Sequence, residues 1–126
     1  MESMKTCLLI KGQLPGLNEY TKENRAHRIA GAKMKEDAER YITVFIKNQH
    51  LKPIPGRVHL IFRWFEPNNK RDPDNVSFAK KFILDALVAN KIIEGDGRKY
   101  IHGFEDYIET DNKNPRIEVE ISSLEC

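Results

Sequence analysis

The segment Lys70-Arg71-Asp72-Pro73-Asp74-Asn75 places two carboxylates on either side of one proline. Pro73 has a fixed φ and disfavours helical backbone at Asp72, so both aspartates can point the same way, with Cα atoms about 6–7 Å apart. Carboxylate oxygens suit Mg²⁺, a hard cation that keeps several waters and also binds substrate phosphates. An ion held there could deprotonate a water and neutralise charge on a phosphate under attack. The pattern therefore indicates metal-assisted phosphodiester chemistry.

A short Asp-x-Asp pattern also has a structural explanation. Asp74 stands at the expected N-cap of the following helix, and Asp, Asn and Pro are common in any loop. An EF-hand is excluded because Ser77 occupies the position of the required glycine and Val76 that of a ligand. Capping and metal binding both remain open for Asp74 at this point.

A third acidic site lies in Glu94-Gly95-Asp96-Gly97, after the second predicted helix. Asp-Gly pairs are strong turn formers, so Asp96 can be structural. If the chain returns across the sheet, Asp96 can instead lie beside Asp72 and Asp74 and complete a set of three metal-binding aspartates.

Two adjacent lysines, Lys80 and Lys81, lie among apolar neighbours on the second predicted helix. Lys81 and Asp85 are four residues apart, which is typical of a solvent-exposed ion pair. Near a carboxylate–metal cluster, a lysine could instead contact the scissile phosphate as a fixed charge.

The elements that position these residues follow from hydrophobic periodicity. Residues 58–64 alternate between apolar and mostly polar side chains, as in a strand with one buried face, and a polar loop, 66–71, follows. Other strands are predicted at 6–11, 100–108 and 117–121, and helices at 20–49 and 75–90, the second with Val76, Ala79, Phe82, Ile83, Ala86 and Leu87 on one side. The order βαβαββ, ending in a hairpin, predicts an α/β (α+β) sandwich with a single mixed sheet packed against two helices.

Length and composition set the remaining limits. A chain of 126 residues, 40% hydrophobic and 32% charged, is expected to form a single domain over residues 1–126. It has no apolar run that could span a bilayer or form a signal peptide, so no membrane partner and a cytoplasmic location are expected. Cys7 and Cys126 lack metal-ligand spacing and are interpreted as reduced thiols.

Charge is unevenly distributed along the chain. Residues 1–102 carry 19 basic and 12 acidic side chains, whereas residues 103–126 carry two and seven. A polyanion would be attracted to the first part, although a modest lysine excess is also ordinary for a soluble surface.

Taken together, these motifs resemble the signature of RusA-like Holliday junction resolvases, which are crossover junction endodeoxyribonucleases. The resemblance rests on Arg71-Asp72-Pro73-Asp74-Asn75, on the stretch from Lys80 to Leu87 and on the turn containing Asp96. Leu14-Pro15-Gly16-Leu17-Asn18 and the polar helix after it are similar to that family's N-terminal part. The likeness covers about residue 8 to residue 121.

The resemblance implies a homodimeric, Mg²⁺-dependent endonuclease, with Mn²⁺ as an alternative ion, that makes paired symmetric nicks in four-way DNA junctions during recombination and repair. Asp72, Asp74 and Asp96 would bind the metal. The family's helix lysine maps to Lys81 when counted back from Asp85, whereas counting forward from Asp74 favours an earlier position such as Lys80, because this segment is about three residues longer. The family commonly has two adjacent acids at the third site. Here Gly95 precedes Asp96, which leaves open whether Glu94 or Asp85 contributes.

Branched DNA is the expected partner, bound through phosphate contacts and cut by two sites related by a two-fold axis. Lys70, Arg71 and Lys80 are candidate DNA-binding residues beside the catalytic set, and Lys22, Arg25, Arg28, Lys33, Lys35 and Arg98 are further candidates. An alternative from a different class is a non-catalytic DNA-binding protein whose carboxylates only stiffen a loop. Such a protein would bind junctions without nicking them.

Overall fold

A computed structural model describes residues 4–124. Its elements are β1 (Lys5–Lys11), α1 (Leu17–Ala26), α2 (Arg28–Asn48), β2 (Val58–Glu66), α3 (Pro73–Ser77), α4 (Lys80–Ala89), β3 (Ile101–Thr110) and β4 (Arg116–Ser123). The strands form one sheet in the order β1-β4-β2-β3. β2 is parallel to β3, and β4 is antiparallel to β1 and β2. The predicted fold class, an α/β sandwich with a single mixed sheet, is confirmed.

One face of the sheet packs against the helices. The alternation predicted for β2 is present, since Val58, Leu60, Phe62 and Trp64 are each at most 1% exposed while the residues between them are half-buried. Removing such large apolar side chains from water is the main favourable contribution to folding. The helices complete this core with Ala38, Ile42, Ile46, Val76, Ala79, Phe82, Ile83, Ala86 and Leu87.

The first predicted helix is divided at His27. Its backbone is extended there, with φ −164° and ψ 124°, and its Nδ1 accepts a hydrogen bond from the Ile29 backbone N–H at the start of α2. α1 then folds back on α2, and a Cβ added to Gly31 would lie 2.5 Å from the Asn24 side-chain oxygen. The prediction of one continuous helix over 20–49 is therefore wrong, because a capping side chain starts a second helix within it.

The second predicted helix is interrupted at Phe78 and Ala79, which separate α3 from α4. Here Ala79, Lys81 and Phe82 donate backbone hydrogen bonds three residues back, the pattern of a tighter turn. The predicted apolar side, from Val76 to Leu87, is buried as expected. The tight turn therefore separates the two helices without exposing the apolar side.

The predicted terminal hairpin is wrong, because β3 and β4 are not neighbours. β2 lies between them, pairing with β3 on one side and β4 on the other. β2 carries the most completely buried side chains, so a central position satisfies its backbone on both edges. The connection 111–115 crosses the end of β2, where the Asp111 backbone N–H donates to the Glu66 carbonyl oxygen at 2.7 Å.

Two expectations concern the membrane and the thiols. Within residues 4–124, no helix combines the length and apolar character needed to cross a bilayer. Cys7 is a free, exposed cysteine on β1. Cys126 lies outside the described residues, so the expectation for its thiol stays a prediction.

Candidate active site

Asp72 and Asp74 lie at the start of α3, just beyond the carboxyl end of β2. Asp72 is extended, with φ −70° and ψ 156°, as the sequence predicted, whereas the helix begins at Pro73, two residues before the predicted start at 75. The helix N-cap is Asp72 rather than Asp74, and its side chain makes no capping hydrogen bond, so the capping explanation for Asp74 is wrong. Both residues are exposed, and within the described part of the chain neither carboxylate has a hydrogen bond or ion pair.

The backbone that carries these aspartates is fixed by Arg71. Its guanidinium donates to both carboxylate oxygens of Glu66, at 2.8 and 2.9 Å, and to the Leu14 carbonyl oxygen at 3.0 Å. Glu66 is only 5% exposed and also accepts a hydrogen bond from Gln13. The hydrogen bonds to Glu66 raise the pKa of Arg71 above its usual value. These contacts give Arg71 an internal role, in contrast to the DNA contact expected for it.

The N-terminal loop packs directly on the same segment. The Asn18 backbone N–H donates to the Asn75 side-chain oxygen at 3.0 Å, and Glu19 accepts hydrogen bonds from the Gly16 backbone and from Arg71. A Cβ at Gly16 would lie 2.5 Å from the Asn75 side-chain oxygen and 2.9 Å from Arg71 Nη1. Glycine is required here by close approach. The loop 14–18 and the segment 71–75, which are far apart in the sequence, therefore pack together and hold each other in place.

Lys81 bridges two acidic residues at the start of α4. Its ammonium donates to Asp85 at 3.0 Å and to Asp96 at 3.1 Å, while its side chain remains 58% exposed. The hydrogen bonds to Asp85 and Asp96 raise the pKa of Lys81, and the hydrogen bond from Lys81 lowers the pKa of Asp96. The lysine therefore stays charged at neutral pH, and Asp96 stays ionised.

The same charges continue onto α2. Lys35 lies 3.4 Å from Asp85 and 3.9 Å from Glu39, whose Oε2 is buried without a hydrogen-bond partner among the described residues. Burial raises the pKa of Glu39. Glu39, Lys35, Asp85, Lys81 and Asp96 thus form a row of alternating charge that joins α2, α4 and the turn after α4.

Lys80 has a different environment from that of its neighbour. Its ammonium pairs with Asp106 on β3, and it lies 4.6 Å from the centre of the Phe104 ring. Asp106 also accepts a hydrogen bond from the Trp64 indole N–H at 2.9 Å, and the Lys80 side chain is only 19% exposed. Asp106 was not among the predicted site residues. The available signal was a carboxylate midway between the apolar residues Phe104 and Ile108, on the same side of β3.

The third acidic turn has a steric reason for its glycine. A Cβ at Gly95 would lie 2.6 Å from the Tyr100 ring, so this chain has no room for a second acid beside Asp96. Glu94 is exposed. Lys81 donates hydrogen bonds to both Asp85 and Asp96, so Asp85 is the second acid of this group.

The structure does not bring all the predicted site residues into one group. Across residues 4–124, no three acidic, histidine or cysteine side chains are arranged so that they could hold a metal ion. Asp72 and Asp74 form one part, and Lys81, Asp85 and Asp96 form the other. The first part begins α3 and the second lies on α4 and in the turn after it, beyond the interruption at Phe78 and Ala79.

The predicted DNA contacts fall into two classes. Lys33, Lys35, Arg71 and Lys80 are held in ion pairs. In the described region, Lys22, Arg25, Arg28, Lys70 and Arg98 have no side-chain partner. Because α1 packs against α3, Lys22 and Arg25 are on the element next to the aspartates.

Comparison with known proteins adds no assignment: no protein-family model matches the chain, and no curated protein matches its sequence. The site must therefore be interpreted from its own chemistry.

Proposed function

We propose that this protein is a Mg²⁺-dependent endodeoxyribonuclease of the RusA-like type, acting on four-way DNA junctions. One observation carries the proposal: two exposed aspartates without partners in residues 4–124 stand on a backbone fixed by buried hydrogen bonds. Other carboxylates nearby, such as Glu66 and Asp106, are occupied by internal partners. A rigid loop that leaves its two carboxylates free is suited to binding something from outside.

The donor set fits a hard divalent cation. Asp72 and Asp74 offer only carboxylate oxygens, the ligands that Mg²⁺ and Mn²⁺ prefer. Asp96 would join them by exchanging its contact with Lys81, or would act through that lysine. A bound ion would supply Lewis-acid activation of water and neutralisation of phosphate charge.

Lys81 is the lysine that we assign to the reaction. Its ammonium is largely exposed and stays protonated, so it can contact a phosphate as a fixed positive charge. Lys80 is largely covered and paired with Asp106, which favours a role in docking α4 against β3. Of the two lysines left open by the sequence, Lys81 has the exposure that contact with DNA requires.

DNA would be attracted by the cations that have no partner within the described residues. Lys70 immediately precedes the aspartate loop, and Lys22 and Arg25 lie on α1, which packs against α3. Contacts from such side chains to phosphates provide affinity without reading sequence. Binding is therefore expected to weaken steeply with salt. A non-catalytic protein with a structural acidic loop is less well supported, because the carboxylates make none of the contacts that such a role requires.

The test is cleavage of a synthetic four-way junction with Mg²⁺, Mn²⁺ or EDTA, using the wild-type chain and Asp74→Asn. We expect paired nicks only with metal, and a loss of about 100-fold or more in the variant, in the range found when a transition-state contact is removed. Asp37→Asn, which removes an exposed carboxylate on α2, is the matched control and should cut normally. Equal cutting by the wild type and Asp74→Asn, or junction binding without any nicking, would overturn the proposal.

A further inference from the structure

The two edges of the sheet are formed by β1 and β3, and they differ in how their backbones are satisfied. On β1, the Gln49 side-chain amide donates to the Leu9 carbonyl oxygen at 2.6 Å and accepts from the Leu9 backbone N–H at 2.9 Å. This amide takes the place that a neighbouring strand would have. β3 pairs with β2 on one side, and within residues 4–124 no strand pairs with its other side. The edge of β3 is therefore the open one.

The open edge is long and regular. The register with β2 skips His102, which marks a bulge near the start of β3, and then pairs Gly103 to Thr110 residue by residue. In such a strand every second residue directs its backbone N–H and C=O away from its neighbour. A row of outward-facing donors and acceptors of this length is a template for a further strand.

Charge restricts what can pair with this edge. The charged side chains of residues 103–110 are all acidic, namely Glu105, Asp106 and Glu109. Asp106 is paired with Lys80 and Glu105 with His59, whereas Glu109 has no side-chain partner in the part of the chain that the structure describes. A second β3 would place acids opposite acids, and DNA would be repelled, so both are disfavoured here. The edge calls for a basic strand.

A depression beside this edge fits a long basic side chain. It has a volume of about 630 Å³ and lies over β2 and β3 on the sheet face opposite the helices. Its charged lining is one arginine against three carboxylates, Arg63 against Glu105, Glu109 and Asp111. Tyr107, which is 47% exposed, adds an aromatic ring. An ammonium or guanidinium group can interact with such a ring and pair with the free carboxylate of Glu109.

The other side of the same edge is apolar. Phe104, which packs on Phe62 on the helix side of the sheet, is still 41% exposed, and Ile108 is half-buried. Successive side chains of a strand point to opposite faces of a sheet, so an added strand would place every second side chain beside these two residues. Apolar side chains at those positions would remove this surface from water.

We propose that β3 binds an extended segment of another protein, in which lysine or arginine alternates with apolar residues, as a fifth strand of the sheet. Main-chain hydrogen bonds along residues 103–110 provide affinity, and the alternating side chains provide specificity. An added strand lies about 4.8 Å from β3, so its basic side chains reach Tyr107 and Glu109 and its apolar ones reach Phe104 and Ile108. The interaction does not depend on the proposed nuclease activity.

The probe is a fluorescent peptide of about eight residues in which lysine and valine alternate, titrated with the protein and followed by anisotropy. Binding should be saturable and should weaken as salt screens the charges. The same peptide with glutamate in place of lysine should bind at least about tenfold more weakly. Two further peptides are N-methylated at alternate residues. One of them should lose binding and the other keep it, because only every second N–H of an added strand points towards β3.

Variants of the protein locate the contact. Glu109→Lys replaces the free carboxylate with a like charge and should weaken binding at least about tenfold. Glu36→Lys makes the same change in charge at an exposed position of α2 and should bind as the wild type does. Hydrogen exchange should slow at alternate backbone N–H groups of residues 103–110 when the peptide binds. The Leu9 N–H, already bonded to Gln49, should not change.

Several results would overturn the proposal. These are the absence of saturable binding, equal binding of the glutamate peptide, equal behaviour of the two N-methylated peptides, and equal weakening by Glu36→Lys and Glu109→Lys. Protection from exchange outside β3 would place the peptide elsewhere and would also overturn it. Displacement of the peptide by duplex DNA would assign the edge to nucleic acid instead. Circular dichroism establishes that each variant is folded, and the peptide comparisons need no variant.

Discussion

One ion-pair cluster precedes the aspartate loop in the sequence and another follows it, and they differ in how much water reaches them. The Arg71 side chain is 16% exposed and its partner Glu66 is 6% exposed, whereas Lys81 and Asp96 are 58% and 37% exposed. A buried pair with several hydrogen bonds fixes the backbone, because breaking it leaves an uncompensated charge. An exposed pair contributes little to stability and can exchange partners. The first cluster therefore positions the site, and the second remains available to a ligand.

The largest effect on stability is expected from Glu66→Gln. The change leaves the Arg71 guanidinium mostly buried without its carboxylate, at a cost of about 3 kcal/mol or more in the free energy of unfolding. Thermal unfolding should show a drop in Tm of roughly 10 °C. Glu36→Gln, which removes an exposed pair with Arg40, is the matched control and should change Tm by no more than about 2 °C. Similar Tm values for the two variants would contradict the inference that the buried Glu66–Arg71 pair stabilises the fold more than an exposed pair does.

Lys81→Met should lower cleavage activity strongly and leave stability almost unchanged. We expect junction cleavage to fall about 100-fold, because the positive charge that is proposed to contact the phosphate is lost, while the free energy of unfolding changes by less than about 0.5 kcal/mol. Lys81→Arg should retain part of the activity. Lys80→Met is the comparison variant and should lower Tm instead, since it leaves Asp106 without its ammonium partner. The reverse pattern would transfer the catalytic role to Lys80.

Gly16→Ala tests whether the N-terminal loop braces the aspartate segment. The new methyl group would overlap the Asn75 side-chain oxygen and Arg71, so a destabilisation of about 1–3 kcal/mol is expected, as for other overpacked sites. Chemical denaturation measures it. Gly97→Ala, where an added Cβ meets nothing within 4 Å, is the control. An unchanged midpoint for Gly16→Ala would show that the loop can move away from Asn75 without loss.

The smallest expected effect is on the pH dependence of stability. Lys81 lowers the pKa of Asp96, so the contact stabilises the folded state above the ordinary aspartate pKa, and this contribution disappears as pH falls through the lowered value. Solvent screening limits it to about 0.5 kcal/mol. NMR titration of Asp96 should show its pKa rising towards the usual value in Lys81→Met. An unaltered titration curve would mean that the contact does not persist in solution.

Local patterns in the sequence predicted most of the elements but not their pairing. The alternation in β2 and the apolar side of α4 follow directly from side-chain periodicity, which is a local property. Glu66 was assigned to a polar loop although it continues that alternation, at the inward position after Trp64. A carboxylate at an inward position requires a buried partner, and Arg71 is that partner. The sequence therefore indicated that Glu66 is buried, but only the three-dimensional structure identified Arg71 as its partner.

The candidate site was predictable in its residue types and only partly in its arrangement. Asp72 and Asp74 are neighbours in sequence, so Pro73 alone sets their backbone. The contact of Asp96 with Lys81 depends on how far α4 carries the chain before the turn, which no local pattern specifies. Immediately after the turn at Phe78 and Ala79, Lys80 contacts Asp106 and Lys81 contacts Asp96.

The sequence by itself determined the four strands, the helical stretches without their interruptions at His27 and at Phe78 and Ala79, the buried faces and the paired carboxylates. Each of these depends on residues within a few positions of one another. Tertiary structure alone decided that β4 enters between β1 and β2, that Arg71 is bound by Glu66 and that Lys80 and Lys81 have different partners. Those outcomes depend on contacts between distant segments, whose free energy is settled only when the whole core is buried.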